Sequence, residues 1–298
     1  MGGNGGNGGD GGSVSIANTQ SLNTTGNGAA GIVARSLGGV GGAVGTGGTP
    51  TYGQGGAGGA VLVSTTNTIH TSNTNAHGVM AQSLGGVGYG SNSQGLYGEN
   101  GNGTAQHSGA AGPVTVVSGS DINTVSSTNG YGIIAQSIAS SGGFNGTGLT
   151  QIGNNGFGNF DSGPVIVQLN AGGSILTSGA GTGAGVLAQS ISGGGGAGSG
   201  AGPLAIGGLS IGGGVGNAGN VTVTNNGDAI LSGGTAIHAQ SIGGGGGIGT
   251  TSGSDLSLGG VVLTANAGTA TAHYKSQLNQ QLNDFLAPIQ HLCKHRFW

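Results

Sequence analysis

Short apolar segments recur along this chain about every fifty residues. In the most regular segment, apolar residues alternate with small or polar ones, and the segment ends in Ala-Gln-Ser followed by Leu or Ile. Its alanines lie 47, 54, 53 and 51 residues apart, and Arg35 replaces the glutamine in the first copy. The five copies are Gly31–Leu37, Gly78–Leu84, Gly132–Ile138, Gly185–Ile191 and Ala236–Ile242. Internal repetition with such a period is typical of solenoids and related repeat folds.

Two other apolar segments precede each copy. The first is an apolar–x–apolar triplet, found at Val14–Ile16, Val61–Val63, Val114–Val116, Val165–Val167 and Val221–Val223. A single apolar residue follows 8 to 10 residues after each triplet begins, at Leu22, Ile69, Ile122, Ile175 and Ile230. A sixth triplet, Val261–Leu263, is expected to open a copy that is not completed.

These segments predict β-strands, because they are short, alternating and rich in β-branched residues between turn formers. Glycine interrupts every window that could form a helix. Strands this short are not stable alone, whereas stacked equivalent strands pair with one another and join their apolar positions into one core. We therefore expect an all-β fold over residues 1–272, a right-handed parallel β-helix or β-solenoid of about 50-residue repeats with glycine-rich loops.

The alternation also predicts which residues share a column of the stack. One inward column is expected at Ile32, Val79, Ile133, Val186 and Ile237, and the next at Ala34, Ala81, Ala135, Ala188 and Ala239. The outer face should carry an amide ladder of Gln82, Gln136, Gln189 and Gln240, capped by Arg35. Because fifty residues are many for one rung, we predict two rungs per repeat. The amides would then lie roughly 10 Å apart, too far for direct hydrogen bonds.

Long glycine tracts separate the strand groups. They span Gly38–Gly59, Gly85–Gly103, Gly142–Gly163, Gly193–Gly219 and Gly243–Gly260. Two interpretations stay open: flexible loops on one side of the solenoid, or partly additional rungs, as at Leu204–Ile211.

Composition narrows the class of protein. Glycine supplies 78 of 298 residues, without the three-residue period of collagen, and charged residues are only 4%. The highly charged type of disordered chain is therefore disfavoured. Arg35 is the single basic residue among positions 1–272, so this region cannot neutralise a nucleic-acid backbone. No run of about 20 apolar residues predicts a membrane-spanning helix.

The candidate chemical motifs are weak. The many Gly-x-Gly-x-x-Gly matches lack the strand and helix of a dinucleotide site, and no Gly-x-x-x-x-Gly-Lys-Ser/Thr occurs. Gly8–Val14 is one isolated near-match to a calcium-binding turn. The chain has too few carboxylates to supply the ligands of successive calcium sites.

The histidines also give little indication of a catalytic or metal-binding site. His70, His77 and His238 are expected to be solvent-facing polar positions, and His291, Cys293 and His295 lack a fourth metal ligand. We therefore expect no catalytic, cofactor-binding or metal-binding residues, no cofactor and no enzymatic activity.

The repeat resembles a known family. Val221–Gly227 (Val-Thr-Val-Thr-Asn-Asn-Gly) followed by Gly234–Gly247 (Gly-Thr-Ala-Ile-His-Ala-Gln-Ser-Ile and five glycines) is similar to repeats of large glycine-rich autotransporter passengers of Gram-negative bacteria. The resemblance covers about residues 2–271. It implies an adhesive or structural role at the cell surface or outside the cell. The partners would be a host-cell or matrix surface or other copies, with a covalently linked outer-membrane barrel in the full-length family.

Neither an export signal nor a barrel is recognisable in this sequence, so a truncated, non-functional gene fragment and an inert glycine-rich coat protein stay open as alternatives. The composition changes near residue 272, and Leu278, Leu282, Phe285, Leu286 and Ile289 then follow at helical spacing. Three interpretations of the tail, residues 273–298, stay open: out-of-frame or unrelated sequence, a helical cap over the last rung, or an anchor or export signal.

Overall fold

The protein was analysed as a computed structural model. It describes residues 4–42, 53–86, 106–107, 109–126, 130–139, 150–152, 156–157, 161–177, 184–193, 198–200, 204–206, 216–243, 249–251, 256–258 and 270–274. These ranges contain twenty-three β-strands and no helix, as the repeat pattern predicts.

Sixteen of these strands form three parallel sheets that run through the whole stack. Sheet 1 contains β1 (Val14–Asn18), β4 (Val61–Thr65), β8 (Val114–Ser118), β13 (Val165–Leu169), β18 (Val221–Asn225) and β23 (Ala270–Tyr274). Sheet 2 contains β2 (Leu22–Thr24), β5 (Ile69–Ser72), β9 (Ile122–Ser126), β14 (Ile175–Thr177) and β19 (Ile230–Ser232). Sheet 3 contains β3 (Ala30–Leu37), β6 (His77–Leu84), β10 (Ile133–Ile138), β15 (Ala184–Ile191) and β20 (Thr235–Ile242).

Each repeat forms one coil with one strand in each of these sheets. The alanines of sheet 3 pair directly from repeat to repeat, as Ala34 with Ala81 and Ala81 with Ala135. The prediction of two rungs per repeat is therefore wrong. We number the coils 1 to 5 by their strands: β1–β3, β4–β6, β8–β10, β13–β15 and β18–β20. The result is a parallel, solenoid-like stack.

The glycine tracts account for the rest of each repeat, and parts of them form smaller parallel sheets of their own. These sheets are β11 (Thr150–Ile152), β17 (Leu204–Ile206) and β22 (Leu256–Leu258); and β16 (Gly198–Gly200) with β21 (Gly249–Thr251). In a further small sheet, β12 (Gly156–Phe157) pairs with β7 (Gln106–His107), which follows the second tract. The segment at Leu204 therefore does contain a strand, but it pairs with the corresponding segments of neighbouring repeats. It is not paired with a strand of the three main sheets, so it does not add a rung to them.

The described glycine segments next to coils 1 and 2 are hydrogen-bonded rather than loose. Gly39 and Gly42 donate their backbone N–H to the carbonyls of Gly9 and Gly6 at 2.7 Å, so the contacts recur every third residue. This period matches the three residues per turn of a polyproline-II chain. A Cβ on Gly8 would overlap the Gly39 carbonyl oxygen, so glycine is needed for this close approach. The flexible-loop interpretation does not apply to these residues.

The core fills the space between the three sheets. The two predicted inward columns are confirmed by the strand register. Sheet 1 adds Val63, Val116, Val167 and Val223, and sheet 2 adds Ile69, Ile122 and Ile175, all of which are at most 1% exposed. A narrow core of valine, isoleucine and alanine fits this geometry, because each β-branched side chain packs on its equivalents above and below.

The sixth copy begins later than the apolar pattern predicts. The strand that pairs with Val221–Asn225 is β23, Ala270–Tyr274, whereas Val261–Leu263 lies outside the described residues. His273 and Tyr274, which we assigned to the tail, thus belong to a solenoid strand. The helical pattern at 278–289 also lies outside the described residues.

Candidate functional site

The most regular surface of the described stack is the outer side of sheet 3. In β3 the alternation sends Ile32, Ala34 and Ser36 inward and Val33, Arg35 and Leu37 outward. The same register continues through all five strands. We call this surface the outer face. Its three columns are Val33, Met80, Ile134, Leu187 and His238; Arg35, Gln82, Gln136, Gln189 and Gln240; and Leu37, Leu84, Ile138, Ile191 and Ile242.

The middle column is a continuous hydrogen-bonded ladder. Gln82 Nε2 donates to Gln136 Oε1 at 2.6 Å, and the bonds from Gln136 to Gln189 and from Gln189 to Gln240 are 2.7 Å long. The predicted ladder is confirmed, but the expectation that its amides are too far apart to bond is wrong. With one coil per repeat, neighbouring amides are separated by a single strand spacing of about 4.8 Å.

Arg35 gives the ladder its direction. Its Nε donates to Gln82 Oε1 at 2.6 Å, so Arg35 caps the first rung as predicted. Because a guanidinium has only donors, Gln82 must turn its oxygen toward Arg35 and its amide N–H toward Gln136. Every later glutamine then has the same orientation, and the N–H groups point toward coil 5.

The outer face combines apolar contact area with uncharged polar groups. Its apolar exposure is greatest at the ends: Val33 and Leu37 are 51% and 56% exposed at one end and Ile242 is 42% exposed at the other, whereas Ile134 in coil 3 is only 7% exposed. Each ladder amide keeps a second N–H and a second lone pair for an external partner. Arg35 is the one charged group among the fifteen positions. Such a face can bind through shape, apolar contact and neutral hydrogen bonds rather than through ion pairs.

A buried serine column behind this face closes each coil, and it was not singled out from the sequence. Ser137 Oγ donates to Gly112 O of its own coil and accepts from Gly163 N of the next coil, both at 2.8 Å. Ser36 and Ser190 make the equivalent pairs of bonds. The signal was available, since every anchor motif contains Ser two residues after its alanine. These serines join sheet 3 to the glycines that lead into sheet 1.

A second hydroxyl column lies inside sheet 2. The hydroxyl oxygens of Thr24, Thr71 and Thr124 are buried without a hydrogen-bond partner among the described residues. Thr177 Oγ1, by contrast, donates to Ser232 Oγ at 2.9 Å. The column adds polar atoms to an apolar core, where an unpaired hydroxyl lowers stability.

The three candidate histidines lie in different surroundings. His238 is exposed in β20, as expected, and His70 is half-buried in β5. His77 is not a simple solvent-facing position: its Nδ1 accepts the Tyr131 backbone N–H at 3.2 Å, and its ring meets the Tyr131 ring at 5.5 Å between centroids. Burial lowers the pKa of His77 below its ordinary value of 6.5. The neutral ring is therefore the form that fits this site.

The metal candidates do not form a site within the described ranges. No group of three metal-ligating side chains comes together there. Asp10, from the near-match to a calcium turn, instead accepts the backbone N–H of Ala57 at 2.7 Å and so links coil 1 to coil 2. His291, Cys293 and His295 lie outside the described residues.

The described part of the chain contains no helix that is long and apolar enough to cross a bilayer.

The described architecture defines an all-β protein with stacked parallel coils and one regular, nearly uncharged face. No family model, no curated protein and no solved structure matches this chain.

Proposed function

We propose that this chain is a non-enzymatic, adhesive or structural repeat region, displayed at a cell surface or secreted in the manner of a Gram-negative autotransporter passenger. The outer face is the observation that carries the proposal. It repeats the same three columns over five coils, and apart from Arg35 and His238 its polar groups are amides. Adhesion requires an extended contact surface, whereas acid–base catalysis needs titratable groups held together.

We propose that the coil is right-handed. Each coil connects two neighbouring parallel strands of one sheet, and such connections are right-handed in nearly all proteins. An experimental crystal structure of the chain gives the handedness directly. A left-handed coil would contradict this part of the proposal without affecting the role of the outer face.

The adhesive role can be tested with the purified chain. We expect saturable binding to host cells or extracellular-matrix proteins. Binding should change little between low and high salt, because the outer face carries a single charge at Arg35.

A charge placed on the outer face should abolish this binding. Ile138→Lys on β10 puts an ammonium into the apolar column next to the ladder. Ile166→Lys on β13 is the matched control, since Ile166 is 42% exposed on the outside of sheet 1. Equal loss of binding in both variants would contradict the outer face as the binding surface. If the wild-type chain shows no saturable binding, an inert coat protein would be favoured.

A further inference from the structure

The described stack is open at coil 1. Among the described strands, β1, β2 and β3 each have a partner on one side only, so all three main sheets have a free edge there. Val14, Ile16 and Leu22 are accordingly only partly buried, although their equivalents in coil 2 are at most 2% exposed. We call the side of coil 1 that faces away from coil 2 the lower side.

The glycine tract indicates what kind of group fits the lower side. Every third glycine of this part of coil 2 lies so close to a carbonyl oxygen of coil 1 that a Cβ would overlap it. The pairs are Gly53 on Gly6, Gly56 on Gly9 and Gly59 on Gly12.

The glycines of coil 1 at these positions have no such reason to be glycine within the described chain. A Cβ on Gly6, Gly9 or Gly12 would lie on the lower side, where no described atom comes within 4 Å. None of the three has a positive φ either. Glycine costs conformational entropy, so its presence here fits a polypeptide backbone that approaches the lower side as closely as coil 1 approaches coil 2.

A repeated hydrogen bond points to the same occupant. In coils 2 to 5, the glycine two residues before the sheet 1 strand donates its N–H to the sheet 3 serine of the preceding coil, at 2.8 to 2.9 Å. The pairs are Gly59 with Ser36, Gly112 with Ser83, Gly163 with Ser137 and Gly219 with Ser190. Gly12 is the equivalent glycine of coil 1, and no serine among the described residues lies below it to accept its N–H.

We propose that the lower side of coil 1 binds a parallel, glycine-rich coil of the same repeat type, carried by another polypeptide. This inference concerns the end of the stack and is independent of the proposed role of the outer face. The bound coil would place a serine hydroxyl under the Gly12 N–H and a glycine backbone under Gly6 and Gly9. It would also add one strand to each free sheet edge, a recognition mode in which main-chain hydrogen bonds provide affinity.

Arg35 restricts which coil can bind. Its described bonds, to Gln82 Oε1 and Met80 Sδ, both go to coil 2, and a guanidinium has only donors. The residue below Arg35 must therefore offer an acceptor, such as a glutamine oxygen or a carboxylate.

The coil 5 end of a second copy does not meet this requirement. Gln240 uses its oxygen to accept from Gln189, so it would present N–H groups to Arg35 of the next copy. The strand β23, which lies on β18, would also keep coil 5 away from the sheet 1 edge of that copy. A different glycine-rich chain is therefore the better occupant.

A synthetic peptide of residues 53–86, one complete coil, is the probe for the full chain. It should bind saturably and slow the exchange of the Gly12 amide at least about tenfold. The variant Gly6→Ala/Gly9→Ala/Gly12→Ala should bind it at least about tenfold more weakly, because three methyl groups then occupy the place of the incoming backbone. The same variant should unfold at no lower urea concentration than the wild type, since these methyl groups meet no described atom.

The matched control changes one outward residue in each strand of coil 1. Ser15→Ala/Asn23→Ala/Val33→Ala leaves the lower side intact and should bind the peptide as the wild type does. Peptide variants test the position opposite Arg35. Gln82→Lys in the peptide should weaken binding at least about tenfold, because donor then meets donor, whereas Gln82→Glu should bind at least as tightly as the unmodified peptide.

Three results would overturn the proposal. The first is the absence of saturable binding at millimolar peptide, and the second is equal binding by the glycine variant and the control. The third is a concentration-dependent oligomer of the chain alone that the glycine variant abolishes, because a second copy would then be the occupant.

Discussion

At the scale of single residues, the threonines of sheet 2 show how one hydroxyl affects the stability of a coil. Thr124 is fully buried, and its hydroxyl has no partner among the described residues. Thr124→Val keeps the shape and removes the unpaired oxygen, so we expect the free energy of unfolding to rise by about 1 kcal/mol. Urea denaturation followed by circular dichroism measures the change.

Thr177→Val is the matched control for this prediction, because the Thr177 hydroxyl donates to Ser232. Its replacement should lower stability, since a hydrogen bond is lost and the Ser232 oxygen loses its donor. If Thr124→Val is as destabilising as Thr177→Val, the Thr124 hydroxyl has a partner, and a buried water molecule is the simplest one.

His77 couples stability to pH at the same scale. Its pKa is lowered by burial, so below its ordinary value of 6.5 the unfolded chain binds more protons at this residue than the folded chain does. The contribution of His77 is complete above about pH 6.5 and should be lost as the pH falls through the lower pKa of the folded state. Protonation also removes the lone pair on Nδ1 that accepts the Tyr131 N–H.

We therefore expect His77→Phe to flatten the dependence of the unfolding midpoint on pH between about 7 and 5. His70→Phe is the matched control, because it makes the same substitution in β5 of the same coil. It should leave the contribution of His77 to the pH dependence in place. An unchanged pH profile in His77→Phe would contradict the assignment.

At the scale of the element, a coil stays closed through one serine. Ser137 lies in β10, is fully buried, and bonds Gly112 of its own coil and Gly163 of the next. Ser137→Ala would leave a half-buried carbonyl and a half-buried N–H without this partner, so we expect a loss of about 1–2 kcal/mol. Exchange of the Gly163 amide should accelerate as well. Ser15→Ala, at an exposed position of β1, is the control and should change stability by less than about 0.5 kcal/mol.

Alternation was sufficient to predict the strands and their register. Once Ile32 faces the core, Ala34 must face it too and Arg35 must face outward, so the columns follow from the period of two. The serine column follows from the same alternation, but polarity alone suggested no inward role for Ser36 or Ser137. Their position becomes understandable only when the glycines beside them are placed, because those glycines supply the hydrogen-bond partners of the serine hydroxyls.

The number of rungs was not predictable from the period. A repeat of about fifty residues contains only three strands of the main sheets, and the further strands described in its glycine tract pair with those of neighbouring repeats. The apolar alternation of Val261–Leu263 predicts the sixth triplet there, although this segment begins only 40 residues after Val221. Ala270, the residue that does pair with Val221, follows after 49 residues, within the spacing of the other copies.

At the scale of the whole molecule, stability should depend on where a coil lies in the stack. Each interior coil packs on two neighbours, whereas coil 1 has a described neighbour on one side only. In such a linear array the total stability is approximately a sum of coil and interface terms, and the ends fray first. Leu22 in coil 1 is accordingly only partly buried, while its equivalent Ile122 in coil 3 is 1% exposed.

Truncation of these two residues should therefore have unequal effects. Ile122→Ala leaves a cavity between coils 2 and 4 and should cost about 2–5 kcal/mol, whereas Leu22→Ala should cost clearly less because the end of the stack can relax. Hydrogen exchange resolves the two cases along the chain: Leu22→Ala should loosen coil 1 alone, while Ile122→Ala should loosen coils on both sides of the substitution. Uniform acceleration of exchange in both variants would mean that the stack unfolds as one cooperative unit, and the additive description of coils would then fail.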